Sequence, residues 1–269
     1  MEDDIQMNFN VRGVVVFALV APFAFAGAAP VAQLGHVEGR VLMRVPETKK
    51  LEPVAAGREL AWGDTLVTGD ATRFEVRPAE GGGLWRVGRR ALFSLKDGGA
   101  RLLAGTALVQ VPAKTMWRIE SMRSVVALPE GTWLVQAVDN RGMKVVCLDG
   151  DAPVQAWGLP SEPADKALAE VQLKPGELVF LQPGGKAFSP RVAIYLEETL
   201  ATSRLIGGFP EPVPGMRRLV NQATAQRERL KGVSNAVVVG ASKAGGFQIA
   251  VPTPEPAGAV NETSAVKKP

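Results

Sequence analysis

Cys147 is the only cysteine of this 269-residue chain and His36 its only histidine. Any imidazole-activated nucleophile would therefore have to use His36, paired with Cys147 or with a serine. The two stand far apart in sequence. In "MKVVCLDG" the cysteine is flanked by strand formers, which reads as a core position, and a single cysteine closes no internal disulfide. His36, between Gly35 and Val37, reads as a structural residue. One cysteine and one histidine do not supply the three or four N/S ligands of a zinc site. A carboxylate-only calcium site would draw on Asp64, Asp70, Asp149 and Asp151 in "GDTLVTGD" and "CLDGDAP". The calcium-loop spacing is missing there, and turn formation accounts for these aspartates. The glycine runs at 81–83 and 240–246 lack the Gly-Lys-Ser/Thr ending of a phosphate loop. Glu197 and Glu198, adjacent on an expected helix, point to different faces rather than at one scissile bond. The expectation is a protein that is not an enzyme and uses no cofactor and no metal.

Binding chemistry is better represented. Tryptophans stand at 62, 85, 117, 133 and 157, and an exposed indole offers a flat apolar face for stacking on sugar rings. Trp117 and Trp133 fall on apolar faces of alternating segments and read as interior. Trp62 and Trp85, close to glycine turns, are the binding candidates. "WRVGRR" at 85–90 adds Arg86, Arg89 and Arg90, the densest basic stretch of the chain. Its alternation equally suits the polar side of a strand. Lys and Arg number 31 against 27 Asp and Glu, a formal net charge of +4. Charges of both signs are interspersed, so no nucleic-acid footprint is expected.

The elements that would position these residues share one recurring corner. "LAWGDTLV" (60–67), "LLAGTALV" (102–109), "LPEGTWLV" (128–135) and "LKPGELV" (173–179) each lead from a leucine through a glycine into Leu-Val. The reading is a glycine turn that reverses the chain and starts a new strand, with Gly63, Asp64, Gly105, Gly131, Thr132 and Gly176 as the turn residues. In "GTWLVQAV", Trp133, Val135 and Ala137 share one face of a strand. In "TMWRIES", Trp117 and Ile119 do the same. Short runs of β-branched and aromatic residues bounded by Gly, Pro, Asp and Asn predict an all-β body.

After Pro190 the pattern changes. "RVAIYLEETLATSRLI" places Val192, Tyr195, Leu196, Thr199, Leu200 and Ser203 at helical spacing, and "GMRRLVNQATAQRERLKG" is rich in helix formers. Two short helices are expected, separated by "GGFPEPVPG" at 207–215. "NAVVVGASKAGGFQIAV" at 235–251 reads as a hairpin. The Pro-rich 252–269 is too poor in large apolar residues to fold and reads as a disordered tail.

At the N-terminus, "VVVFALVAPFAFAGAA" follows Arg12 and ends in the small-x-small triplet Ala24-Phe25-Ala26. This is a secretory signal pattern, too short and too interrupted by Pro22 for a membrane span. Met7 gives a better basic n-region than Met1 and is the expected start. No cysteine follows the apolar segment, which excludes a lipoprotein anchor. The expected organisation is a signal peptide over 1–26, a β domain over 27–189, a helical segment over 190–232, and a hairpin with a Pro-rich tail over 233–269.

"GHVEGRV", "LAWGDTLVTGDATRFEV", "LLAGTALVQV", "VVALPEGTWLVQAV", "MKVVCLDGDAPV" and "LKPGELVFL", in that order, resemble the FecR-type domain over residues 35–182. Gly63, Asp64 and Thr68 match its first turn, and Gly131, Thr132 and Val135 its second. The resemblance implies a mostly β, exported bacterial domain, periplasmic or secreted, with no catalytic residues. Members that regulate iron uptake carry a cytoplasmic sigma-factor-binding domain, and about a dozen residues before the apolar segment are too few to form one. The resulting expectation is a non-catalytic binding or structural module of the cell envelope, with an envelope protein or polysaccharide as partner. A membrane-anchored signalling protein of the anti-sigma type and a polysaccharide-acting enzyme are the alternatives, and membrane contact is expected only if the N-terminal segment is uncleaved.

Overall fold

A computed structural model describes residues 30–45, 48–79, 81–138 and 142–230. The expected signal peptide, hairpin and Pro-rich tail lie outside these residues.

The described chain is mostly β. Its strands are β1 (Ala32–Glu38), β2 (Val41–Arg44), β3 (Leu51–Val54), β4 (Glu59–Leu60), β5 (Thr65–Thr68), β6 (Arg73–Pro78), β7 (Leu84–Val87) and β8 (Leu92–Lys96). They continue with β9 (Gly99–Glu120), β10 (Val125–Val138), β11 (Gly142–Asp149), β12 (Val154–Trp157), β13 (Ala169–Val171), β14 (Glu177–Leu181) and β15 (Val192–Ala193). All their pairings are antiparallel. The main path runs β15-β14-β11-β10-β9-β7-β6-β1-β4, with β12-β13 branching from β10 and β8-β5-β2-β3 from β9.

The branches exist because the two longest strands change neighbours along their length. The first part of β9 pairs with β8, up to Ala104, and a later part, from Ala107, pairs with β7. Val125–Ala127 of β10 pair with β12, and its C-terminal half pairs with β11. The switch points are Gly105 and Gly131. Gly105 has φ +92, and a Cβ there would lie 2.6 Å from the Cβ of Ala91, the residue just before β8. Gly131 has φ +144, sits at a register shift, and a Cβ there would collide with the Asp149 carbonyl oxygen. Bulges and glycines at such points let one strand belong to two layers of a folded sheet.

These two corners therefore correct the expectation of chain reversal: at Gly105 and at Gly131-Thr132 the strand bends and continues. The other two corners are tight turns between separate strands. Gly63 connects β4 to β5, with Asp64 Oδ2 accepting from the Ala61 amide at 2.9 Å. Gly176 precedes β14, with Glu177 Oε2 accepting from the Lys174 amide at 2.8 Å.

The folded sheet encloses the main core. Trp133, Val135 and Ala137 of β10 face it as their alternation predicts, together with Ile119, and Trp117 packs at its edge. Cys147 is buried in it. A second apolar layer lies on the outer face of β9, β11 and β14. There Leu108, Val146, Leu148, Leu178 and Phe180 meet the C-terminal helices. Covering both faces of β11 explains why "VVCL" is apolar without interruption.

Three helices follow the β body: α1 (Leu196–Thr202), α2 (Arg204–Gly207) and α3 (Met216–Leu230). The single helix expected over 191–206 is thus divided. Val192 belongs to β15, and Ser203 is extended (φ −73, ψ 114) between α1 and α2. Thr199 and Thr202 donate their hydroxyls to the carbonyls four residues back, a bond that competes with helical continuation. The break turns Leu205 and Ile206 into the second core layer.

Along α3, Leu219, Ala223 and Gln226 form the buried stripe. Gln226 ties the helix down. Its Oε1 accepts from the Leu196 amide at 2.8 Å, and its Nε2 donates to the Ile194 carbonyl at 2.7 Å and the Gly176 carbonyl at 3.2 Å. Arg218 adds a bond from Nε to Asp149 at 2.9 Å. Leucine at 226 fits the apolar stripe but strands the buried Leu196 amide. Gln226→Leu is expected to cost about 3 kcal/mol, read as a lower urea midpoint together with faster amide exchange along α3. An unchanged midpoint would show that the helix is held by its apolar face alone.

Candidate functional site

The five binding candidates divide between core and surface. Trp85, at 1% exposure, is interior. It stacks in parallel on Trp117 at 4.9 Å and tilts against Phe93. It offers no face to a sugar, which corrects its reading as a binding residue. Trp62 is 51% exposed in the turn between β4 and β5. Arg86 has no exposed surface, whereas Arg89 and Arg90 are exposed.

Arg86 is buried because alternation on β7 sends Trp85 and Val87 into the main core and Arg86 to the opposite face. That face is not solvent. α2 and the segment after it lie across this face, and the guanidinium bonds to both the sheet and this covering segment. Its Nε donates to Glu75 Oε2 at 2.8 Å, and its Nη1 donates to the carbonyls of Ile206 at 3.1 Å and Leu205 at 3.4 Å. Its Nη2 donates to the Glu211 carbonyl. The ring of Phe209 lies 4.4 Å from the guanidinium carbon. Glu75 takes a second hydrogen bond from Arg77, which also reaches the Glu211 carboxylate. Burial pushes Arg86 down from its ordinary pKa, and the hydrogen bond and charge of Glu75 oppose that. The arrangement fastens the C-terminal segment to the sheet. Arg86 is therefore corrected from a binding candidate to a structural residue.

Phe209 links this network to a neighbouring cleft. His36 packs edge-on against the Phe209 ring at 5.4 Å, and Arg73 approaches it at 5.6 Å. Beside Arg73 a cleft of about 530 Å³ opens between the β body and the α1–α2 junction. The β5–β6 turn supplies Asp70 and Thr72, and β6 opens with Arg73. The stretch between β7 and β8 supplies Arg89, and the helices supply Ser203 and Arg204. Arg73 is paired with Glu38 and Asp70 with Arg90. The hydrogen bond from Arg90 holds the Asp70 carboxyl below its ordinary value, and the charge of Arg89 acts in the same sense. Among the described residues, Arg89 and Arg204 have no carboxylate within ion-pair distance. Arg73 Nε is shielded from water and has no hydrogen-bond partner.

Nucleophilic chemistry finds no constellation among the described residues. His36 is engaged with Phe209, and Cys147 donates its weak S–H to the Gly150 carbonyl. Burial, with Asp149 behind it, pushes the Cys147 thiol far up from its ordinary value and disfavours the thiolate. Three of the four aspartates considered for calcium are separately employed: Asp64 closes a turn, Asp70 pairs with Arg90, and Asp149 holds Arg218. No group of three or more His, Cys, Asp or Glu gathers among the described residues.

Of the five candidates only Arg89 lines the cleft, with Arg90 acting from its rim through Asp70. Sequence reasoning misses Glu38, Thr72, Arg73, Ser203 and Arg204 as site residues and reaches Asp70 only as a calcium candidate. "TGDATR" sits just beyond a matched corner, where turn formation accounts for Asp70 and nothing local marks Thr72 or Arg73. Ser203 and Arg204 arrive from the far end of the chain, where no local pattern marks them. No protein-family model matches the chain, and no curated protein matches it.

Proposed function

We propose that the protein is a non-catalytic module exported to the bacterial cell envelope, built on a FecR-like β domain and acting by binding. The observation that carries this reading is the conjunction of an N-terminal apolar segment ending in Ala24-Phe25-Ala26 with a β body bearing a polar, arginine-lined cleft. The helices that a signalling protein would use to engage a partner turn their apolar stripes onto β9, β11 and β14, which favours a self-contained module. The partner class is an envelope component, polysaccharide or protein, and the place is the periplasm or the exterior.

The test is expression of the tagged full-length chain in a Gram-negative host, fractionation, and intact mass measurement. The expected product is residues 27–269 in the soluble periplasmic fraction. Full-length protein in the membrane fraction would replace this reading with that of an anchored signalling protein.

A further inference from the structure

The geometry points to the cleft between β6, the β7–β8 connection and the α1–α2 junction as a site for a small dianionic oxyanion, a phosphate monoester or a compact dicarboxylate. This names the ligand chemistry of the binding module proposed above and rests on that reading.

Charge sets the valence. Three guanidinium groups line the cleft, on Arg73, Arg89 and Arg204, against the carboxylates of Glu38 and Asp70. Glu38 is taken by Arg73, and Asp70 by Arg90 at the rim. Arg89 and Arg204 are left as two positive charges with no carboxylate partner among the described residues, and they come from opposite walls. A ligand carrying two negative charges neutralises both and replaces water around each with charge-assisted hydrogen bonds.

Hydrogen-bonding capacity sets the class. The lining includes Thr72, Thr106 and Ser203, with the Thr72 hydroxyl donating to the Arg40 carbonyl at 3.4 Å, and no aromatic ring. Oxyanion oxygens therefore find donors, and a neutral sugar ring finds no stacking platform. Arg73 adds an unused donor, since its Nη2 is bonded to Glu38 while its buried Nε has no acceptor. An unsatisfied buried donor is unfavourable. An oxyanion bound beside Arg73 would supply the acceptor that its guanidinium lacks. The volume, about 530 Å³, suits a ligand of metabolite size or the charged terminus of a longer one.

Titration calorimetry on the full chain tests this at about pH 7.5, where a phosphate monoester carries close to two charges. The probes are inorganic phosphate, glycerol 3-phosphate, succinate and acetate, at low ionic strength. At least one dianion is expected to bind about tenfold or more tightly than acetate. Arg89→Ala and Arg204→Ala, both at exposed positions, should each weaken that binding about tenfold, while Arg191→Ala should leave it unchanged. Preference for the phosphates identifies a tetrahedral headgroup, and preference for succinate a dicarboxylate. Absence of binding by every dianion, equal binding of acetate, or unaltered affinity in both variants would overturn the assignment. Such a failure leaves the export reading standing, because periplasmic location and processed mass are measured separately.

Discussion

Arg86→Met will lower the melting temperature of the protein by about 10 °C. Methionine matches the length of the side chain and suits an apolar environment, so the loss comes from the partners left behind. Glu75 would keep its bond to Arg77 but lose its buried one at 2.8 Å. The carbonyls of Leu205, Ile206 and Glu211 would lose their shared donor. Removing one member of a buried ion pair costs about 3 to 5 kcal/mol, and each kcal/mol shifts the midpoint by roughly 2 to 4 °C in a body of this size. Adding Glu75→Gln removes the stranded charge. The double variant Glu75→Gln/Arg86→Met is therefore expected to melt above the value that the two single losses would sum to. Differential scanning calorimetry decides both points. A loss under about 1 kcal/mol would mean that the C-terminal segment is held by Phe209, Val213 and the helices without the arginine.

The same residue shows where sequence patterns stop. Alternation along "LWRV" correctly set Trp85 and Arg86 on opposite faces, but it could not say which face was covered. Charged side chains are almost never fully buried unless paired, so a lone reading sends Arg86 to solvent and leaves Trp85, beside glycines, for a surface role. Its partners Leu205, Ile206 and Glu211 stand about 120 residues later. Nothing within "WRVGRR" encodes them. The all-β body, the inward set Trp133, Val135 and Ala137, and the helical character of α3 were legible because each rests on periodicity within one segment. The cleft was not, because its walls are joined only by the docking of α1 and α2 on the sheet.

The glycine corners divide the legible from the illegible most sharply, and they support the second large prediction. The sequence shows four similar corners, yet two are tight turns between separate strands and two bend a continuing strand. The residue after the glycine separates them. Asp64 and Glu177 present carboxylates that accept the amide three residues back and close a tight turn. Thr106 and Thr132 have no such acceptor reach, and their strands run on. Gly131→Ala is accordingly expected to cost about 3 to 5 kcal/mol, combining the strain of a positive φ with a forced displacement of the Asp149 carbonyl. Gly63→Ala, whose Cβ would meet nothing within 4 Å, carries only the φ strain, about 1 to 2 kcal/mol. Urea unfolding of the two variants side by side measures the difference. Equal costs would mean that the approach of β11 to β10 at Gly131 relaxes easily. A larger loss at 131 means that the corner holds two layers of the sheet in contact, so the glycine there serves packing where the glycine at 63 serves only the turn.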